Sequence, residues 1–324
     1  MLFIDLVDCA NRVVGGHEVS RAEAAGLCQY DTDLCDLMHE ANRVREHAFG
    51  NTIKFCSIIN ARSGRCSEDC RFCAQSSHYG AQVAEFPLVS LDDMVSRGKQ
   101  AYGQGARGFS IVTSGRSVET DEDFNRIAEA ISRLGTNNRY TCASLGMISE
   151  EKARHLKEKG LTKFHHNLET SPSFFSSICS THTIDEKKET ISNAKKAGLQ
   201  VCSGGIFGLG ETWEQRIEMA FALKELGVDS IPINFINPIP GTPFETNPLL
   251  NPRDALRIIA VFRFIFPEKD IIVCGGREQT LRDLQALMYY AGANGTMLGN
   301  YLTTAGRKPE EDLQMAQDLG LEWQ

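Results

Sequence analysis

From Thr52 onward the sequence repeats one short unit, a brief apolar strand followed by a capped amphipathic helix, and this limits the fold more than any other feature. Strands are expected near 53–59, 107–113, 139–145, 162–168, 199–205, 229–235, 270–274 and 295–299. Helices are expected near 90–105, 120–134, 149–159, 183–197, 212–226, 252–266, 278–291 and 309–319. Ser149 precedes Glu150 and Glu151, and Thr212 opens a helix that Gly227 closes. Gly198 ends another helix, while Pro252 and Pro267 bracket a third. The first helix is displaced from its strand by the intervening 66–73 segment. No Asn-Gly turn separates alternating runs before residue 294, so the strands read as parallel with crossover helices.

Eight such units in about 270 residues predict an α/β fold of the (β/α)8 TIM-barrel type. A doubly wound sheet would need GxGxxG in the first strand–helix turn. The nearest approach, Gly204, Gly205, Gly208 and Gly210, is mid-chain with the wrong spacing. The residues before Thr52 follow another pattern. Asp31 to Ala48 places Leu34, Leu37, Met38, Ala41 and Val44 on one helical face, with Asp31 or Thr32 as N-cap, and Ser20 can cap a shorter helix. The expected organisation is an N-terminal helical extension over 1–51 and a barrel over 52–324.

A net charge of -8 supplies no basic stripe for phosphates, so no nucleic-acid partner is expected. Asp5 and Asp8 stand where a signal peptide would carry basic residues, and Arg257 and Arg263 interrupt the most apolar stretch, Ala255 to Phe266. A cytoplasmic protein without a membrane partner is expected. In a reducing compartment, its 11 cysteines become candidate metal ligands or catalytic groups wherever they cluster.

They cluster first in Cys66-Ser-Glu-Asp-Cys70-Arg-Phe-Cys73. This C-x3-C-x2-C loop lets three thiolates meet one face of a four-iron cluster, and no fourth cysteine follows closely, which leaves one iron open for chemistry. Two alternatives remain at this level: a closed zinc site completed by His78, or three unligated buried thiols.

With Phe72 before its last cysteine, the loop resembles the signature of the radical S-adenosylmethionine superfamily. Further segments resemble the biotin synthase family within it: His166-Asn-Leu-Glu-Thr-Ser-Pro172, Cys202-Ser-Gly-Gly-Ile-Phe-Gly-Leu-Gly-Glu-Thr212, Pro232-Ile-Asn234, Gly275-Gly-Arg-Glu-Gln279 and Ala291-Gly-Ala-Asn294. The resemblance implies a [4Fe-4S] cluster on Cys66, Cys70 and Cys73 that chelates S-adenosylmethionine. It further implies a 5′-deoxyadenosyl radical that abstracts hydrogen from dethiobiotin, and sulfur insertion to form biotin. A flavodoxin- or ferredoxin-type electron donor and a homodimer are implied as partners. Asn167 resembles an asparagine that bridges the ribose of S-adenosylmethionine and the ureido ring of dethiobiotin. Glu169 stands where the family commonly has a ribose-binding aspartate, Asn234 resembles another pocket asparagine, and His165 replaces a frequent asparagine. Residues 165, 167 and 169 alternate, so on a strand all three face the same way.

The chain departs from the family at the auxiliary cluster, usually a [2Fe-2S] centre held by three cysteines and an arginine. Cys142 and Cys202 match two of these ligands, but Ser110 and Ile272 replace the other two. Cys56 and Cys274 fall where the family carries serines. The four cysteines lie on the first, third, fifth and seventh strands, whose inward residues form one layer of a TIM barrel. The expectation is therefore a four-thiolate layer holding a four-iron auxiliary cluster, with Cys9, Cys28, Cys35 and Cys179 left as core or surface thiols. The rival readings are another enzyme of the superfamily, such as a hydrogenase-cofactor maturase or a methylornithine synthase, and an iron–sulfur carrier or zinc-stabilised binding protein.

Overall fold

The computed structural model of the chain describes residues 4–29, 31–135 and 139–323. Three helices come first: α1 (Leu6–Val14), α2 (Arg21–Leu27) and α3 (Leu34–Phe49). The alternation then begins with β1 (Thr52–Arg62), α4 (Leu91–Gly103), β2 (Gly108–Thr113), α5 (Asp121–Leu134), β3 (Tyr140–Ser144) and α6 (Glu150–Glu158). It continues through β4 (Lys163–His165), α7 (Ile184–Lys196), β5 (Gln200–Cys202), β6 (Gly205–Phe207), α8 (Trp213–Glu225), β7 (Ser230–Phe235), α9 (Pro252–Ile265) and β8 (Asp270–Val273). The chain finishes with α10 (Arg277–Leu281), α11 (Leu287–Tyr290), β9 (Gly295–Met297), α12 (Pro309–Asp318) and β10 (Glu322–Trp323).

Every pairing between strands is parallel, in the order β1-β2-β3-β4-β5-β7-β8-β9, and β9 returns to β1. β6 continues the line of β5 along β7, so the closed barrel has the eight strand positions of a TIM barrel. β10 adds to the start of β1 at Thr52 and Ile53. The crossover helices start where the sequence places caps. Ser90, Thr120, Ser149, Thr183 and Thr212 each accept a hydrogen bond from the third residue of the helix that follows, satisfying one of the free amides of the first turn.

The N-terminal helices lie against the outer ring, α2 on α8 and α9, and α3 on α9. Two arginines lie inside the apolar α9. Arg257 donates to the carbonyls of Gln29 and Thr32, and Arg263, fully buried, donates to those of Gly292, Phe266, Pro267 and Lys269 and to Asn294 Oδ1. Each buried guanidinium thus stitches loop carbonyls that would otherwise lack donors.

Several elements differ from the sequence expectation. α1 is additional, capped by Asp5 and packed on α3. α3 is capped by Asp33, whose carboxylate accepts from Cys35 and Asp36, rather than by Asp31 or Thr32. The fourth strand stops at His165, and the fifth is interrupted at residues 203–204. The helix expected over 278–291 is broken, because Arg282 adopts a left-handed φ of 51° and the redirected chain brings Gln285 Oε1 to 2.6 Å from Arg277.

Candidate active site

Cys66, Cys70 and Cys73 occupy the loop that leaves the C-terminal end of β1. The loop is fastened to segment 178–182 by the two acids between its first cysteines. Glu68 accepts from His182 Nδ1 at 2.5 Å and Thr181 Oγ1 at 2.9 Å, and Arg116 lies 3.4 Å away. Asp69 accepts from the amides of Ser180 and Thr181, and Arg71 N donates to Ile178 O. These bonds hold both carboxylates below their ordinary pKa against the opposing effect of burial.

His78 does not join the cysteines, since its Nε2 bonds the carbonyl of Ser67 at 2.9 Å. Among the described residues, the one set of three potential ligands with all donor atoms within 4.8 Å is Cys70, Cys179 and His182. Cys66, Cys70 and Cys73 do not all come within that distance, so they are not gathered as the ligands of one zinc ion are.

Cys179, expected as a core or surface thiol, is buried against Phe175, Ile178 and Leu209 and also meets the cysteine loop. Its Sγ lies 3.9 Å from Cys70 Sγ and 3.2 Å from His182 Nδ1. The hydrogen bond from Cys70 draws Cys179 down to about 4, and the same bond with burial pushes Cys70 well above the usual thiol range. The available signal was the Cys179-x2-His182 spacing.

Beneath the loop the barrel encloses a cavity of about 350 Å³. Phe72 and Cys73 line its mouth, and Cys56, Cys142, Cys202 and Cys274 line its depth. The strand registers set their heights. Cys56 pairs with Gly108 and Gly108 with Tyr140; Cys142 pairs with Lys163; Cys202 pairs with His165 and Ser230, and Ser230 with Asp270; the circuit closes at Cys56 with Met297. With the climb of about one residue per strand that a shear of eight imposes, Cys56, Cys142, Cys202 and Ile272 share one tier. Cys274 sits two tiers nearer the mouth, just past the end of β8. The expectation of all four cysteines in one layer is corrected accordingly, because inward positions on β8 alternate and Ile272, not Cys274, falls at that height.

Burial raises all four thiols, Cys56 to about 11, and they act on one another, with Cys202 raising Cys142 and Cys56 raising Cys274. Iron binding here must displace protons. The tier below comprises Gly108, Lys163, Ser230 and Gly295. Lys163 Nζ donates to Ser230 Oγ at 3.3 Å and lies 4.6 Å from the centre of the Tyr140 ring, and Tyr140 in turn reaches up to Cys56 Sγ at 2.8 Å.

Between the cysteine sets stand His165, Asn167, Glu169 and Asn234. The first three face the cavity although β4 has already ended. Glu169 has a left-handed φ of 72°, fixed by hydrogen bonds from its own amide to Gly204 O and from Ile206 N to its carbonyl. Such a conformation in a non-glycine residue stores strain and marks functional positions. A Cβ at Gly205 would come within 2.5 Å of that carbonyl, so glycine is required there. Asn167 accepts from Gly204 N at 3.1 Å and donates to Glu169 at 3.3 Å. Asn234 donates to Gly205 O and accepts from Gly275 N. Removal from bulk water lowers His165 to about 4, so it is neutral near pH 7.

Residues 61–223 match the Radical SAM superfamily, and residues 232–322 match the Biotin and Thiamin Synthesis associated domain. Biotin synthase of Geobacter sulfurreducens is 50% identical over 314 residues, covering 96% of this chain and 95% of the relative. That of Pelotomaculum thermopropionicum is 49% identical over 322 residues and 99% of each chain. The chain belongs to the biotin synthase family. Among solved structures, methylornithine synthase superposes with a TM-score of 0.83 at 20% identity, covering 98% of this chain and 97% of that one. A maturase of the [FeFe]-hydrogenase gives 0.83 at 15% identity, covering 98% and 75%. These two share the barrel, whereas the biotin synthases share its sequence as well. As a biotin synthase-family radical SAM enzyme, the chain uses a [4Fe-4S] cluster with S-adenosylmethionine.

Proposed function

We propose that the chain forms biotin by inserting sulfur into dethiobiotin, with Cys66, Cys70 and Cys73 holding the four-iron cluster and Cys56, Cys142, Cys202 and Cys274 holding an auxiliary one. The observation that carries this reading is a single cavity with Cys73 at its mouth, Cys56, Cys142, Cys202 and Cys274 in its depth, and Asn167, Glu169 and Asn234 between them. When bound, the first cluster supplies the electron that cleaves S-adenosylmethionine and the second supplies the sulfur.

Three thiols in one tier and a fourth above them approximate the tetrahedral donor set of a cubane better than a flat ring of four would. Ser110 and Ile272 offer no soft ligand for a [2Fe-2S] centre. A four-iron auxiliary cluster is therefore favoured. Asn167, with spare donor and acceptor capacity, is placed to touch both the ribose and the ureido ring. Glu169 is assigned to the ribose hydroxyls, and neutral His165 and Asn234 to the polar rim of the bound substrate. Ile58, Val112, Phe235 and Ile239 wall the cavity, excluding water and stray hydrogen donors.

The helices before Thr52 act as an extension that covers α8 and α9, and residues 52–324 form the catalytic barrel. No helix among the described residues is long and apolar enough to cross a membrane. A cytoplasmic homodimer reduced by a flavodoxin- or ferredoxin-type donor completes the proposal. The test is anaerobic reconstitution followed by iron analysis, Mössbauer spectroscopy and turnover with dethiobiotin. About eight irons per chain and biotin formation are expected. A [2Fe-2S] component with about six irons would overturn the four-iron assignment, and absence of biotin would overturn the activity.

A further inference from the structure

Lys163 is the anomaly of the barrel interior. It is 5% exposed, yet no carboxylate among the described residues lies within ion-pair distance of its ammonium. Asp270, one tier lower, is already engaged by Lys54 at 2.6 Å and by Asn294 at 2.8 Å. What Lys163 does contact is neutral: Ser230 Oγ and the face of Tyr140. Asp270 acts on the ammonium only from beyond ion-pair distance while held by Lys54, and a buried ammonium without a close counter-charge is costly, so its place favours a further anion.

The tier directly above contains Cys56, Cys142 and Cys202, and Cys142 is the strand partner of Lys163. As thiolates binding iron these would surround a net anionic cluster. The two remaining positions of the Lys163 tier, away from Ser230, are glycines. At Gly108 a Cβ would meet the Tyr140 ring at 2.2 Å, so its absence lets Tyr140 rise from below to Cys56. When Cys56 is a thiolate, the phenol is the donor in that bond.

We infer that Lys163 and Tyr140 form a cationic and hydrogen-bonding floor for the auxiliary cluster, Lys163 supplying its counter-charge and Tyr140 a hydrogen bond to the Cys56 sulfur. The inference rests on the proposed four-cysteine site. Both residues are positioning groups that act through the cluster and touch neither dethiobiotin nor S-adenosylmethionine. Positive charge and hydrogen bonds at the ligand sulfurs stabilise the more reduced, more negative cluster and raise its reduction potential.

The test compares wild type, Lys163→Met, Lys163→Arg and Tyr140→Phe, each reconstituted anaerobically. It uses two readouts, the potential of the auxiliary cluster by EPR-monitored redox titration and the rate of iron loss to a chelator. Iron held at Cys66, Cys70 and Cys73 serves as internal reference. Lys163→Met should lose auxiliary iron roughly 10–100-fold faster, as removal of an outer-shell partner does elsewhere, and its potential should move to more negative values. Tyr140→Phe, which keeps the ring and the packing, should shift the potential the same way by less, and Lys163→Arg should restore most of it. If Lys163→Met does not fold, Tyr140→Phe alone decides the matter. A wild-type potential and chelation rate in the folded variants would overturn the inference while leaving the four-cysteine site standing. A wild-type protein without a cluster at those cysteines would overturn the site itself.

Discussion

Replacing Gly108 by Ala tests the geometry of the barrel interior most directly. The added methyl carbon would sit 2.2 Å from two ring atoms of Tyr140 and 2.6 Å from its hydroxyl, more than an ångström inside ordinary contact. Tyr140 cannot yield easily, since its ring lies beneath Lys163 and its hydroxyl bonds Cys56. Either β2 and β3 separate or the ring swings away. Overpacking of this kind costs about 1–3 kcal/mol, and the lost hydrogen bond about 1 more. Gly108 does not have a positive φ, so the smaller entropy of the unfolded alanine chain returns about 0.4–1 kcal/mol. The net expectation is a destabilisation of about 1–3 kcal/mol, measured by urea unfolding of the anaerobic, metal-free protein. In a Tyr140→Leu background the obstructing atoms are gone, and the same substitution should become neutral or slightly stabilising. An equal cost in both backgrounds, or none in the wild-type background, would refute the packing argument.

Changing Cys66, Cys70 or Cys73 to Ala should abolish 5′-deoxyadenosine production, whereas His78→Ala should leave iron content intact; metal loss in the latter would revive the zinc reading. Cys274→Ala should spare S-adenosylmethionine cleavage and stop biotin formation, and full biotin yield would remove Cys274 from the donor site. Asn167→Ala should weaken binding of both dethiobiotin and S-adenosylmethionine by roughly 1–3 kcal/mol each, about 5- to 150-fold by isothermal titration; unchanged affinities would refute the shared contact. Glu23 completes the capping box of α2 and is drawn down to about 2, first by its bond from the Ser20 amide. Its stabilisation is present above the ordinary carboxylate range and fades as pH falls toward 2. Glu23→Gln should therefore cost about 1 kcal/mol at pH 7, with the gap narrowing in urea melts near pH 3.

The barrel was legible because its signals are local. A cap such as Thr212 satisfies an amide three residues away, and the strand–helix rhythm repeats within windows shorter than the reach of tertiary contacts. The Cys66–Cys73 loop was legible for the same reason, with all three proposed ligands inside eight residues of sequence. Alternation carried His165, Asn167 and Glu169 to the correct face, although the strand that should have enforced it ends at the first of them.

Other features depended on residues far apart in sequence. The break after α10 answers to a fully buried arginine, Arg277, that must meet Gln285 and Asp312. Cys179 meets Cys70 only because Asp69 and Glu68 hold two distant loops together.

The sequence by itself determined the eight-unit barrel, the family and which cysteines face inward, since periodicity and motif spacing are properties of neighbouring residues. Only the tertiary structure decided their heights. The shear of the closed barrel adds a step at every strand, so Cys274 rises two tiers above Cys56, Cys142 and Cys202, and Lys163 comes to lie beneath them with no carboxylate among the described residues within ion-pair distance. No one-dimensional pattern records that offset, because it accumulates across pairings between strands whose spacing along the chain is unrelated to their height in the barrel.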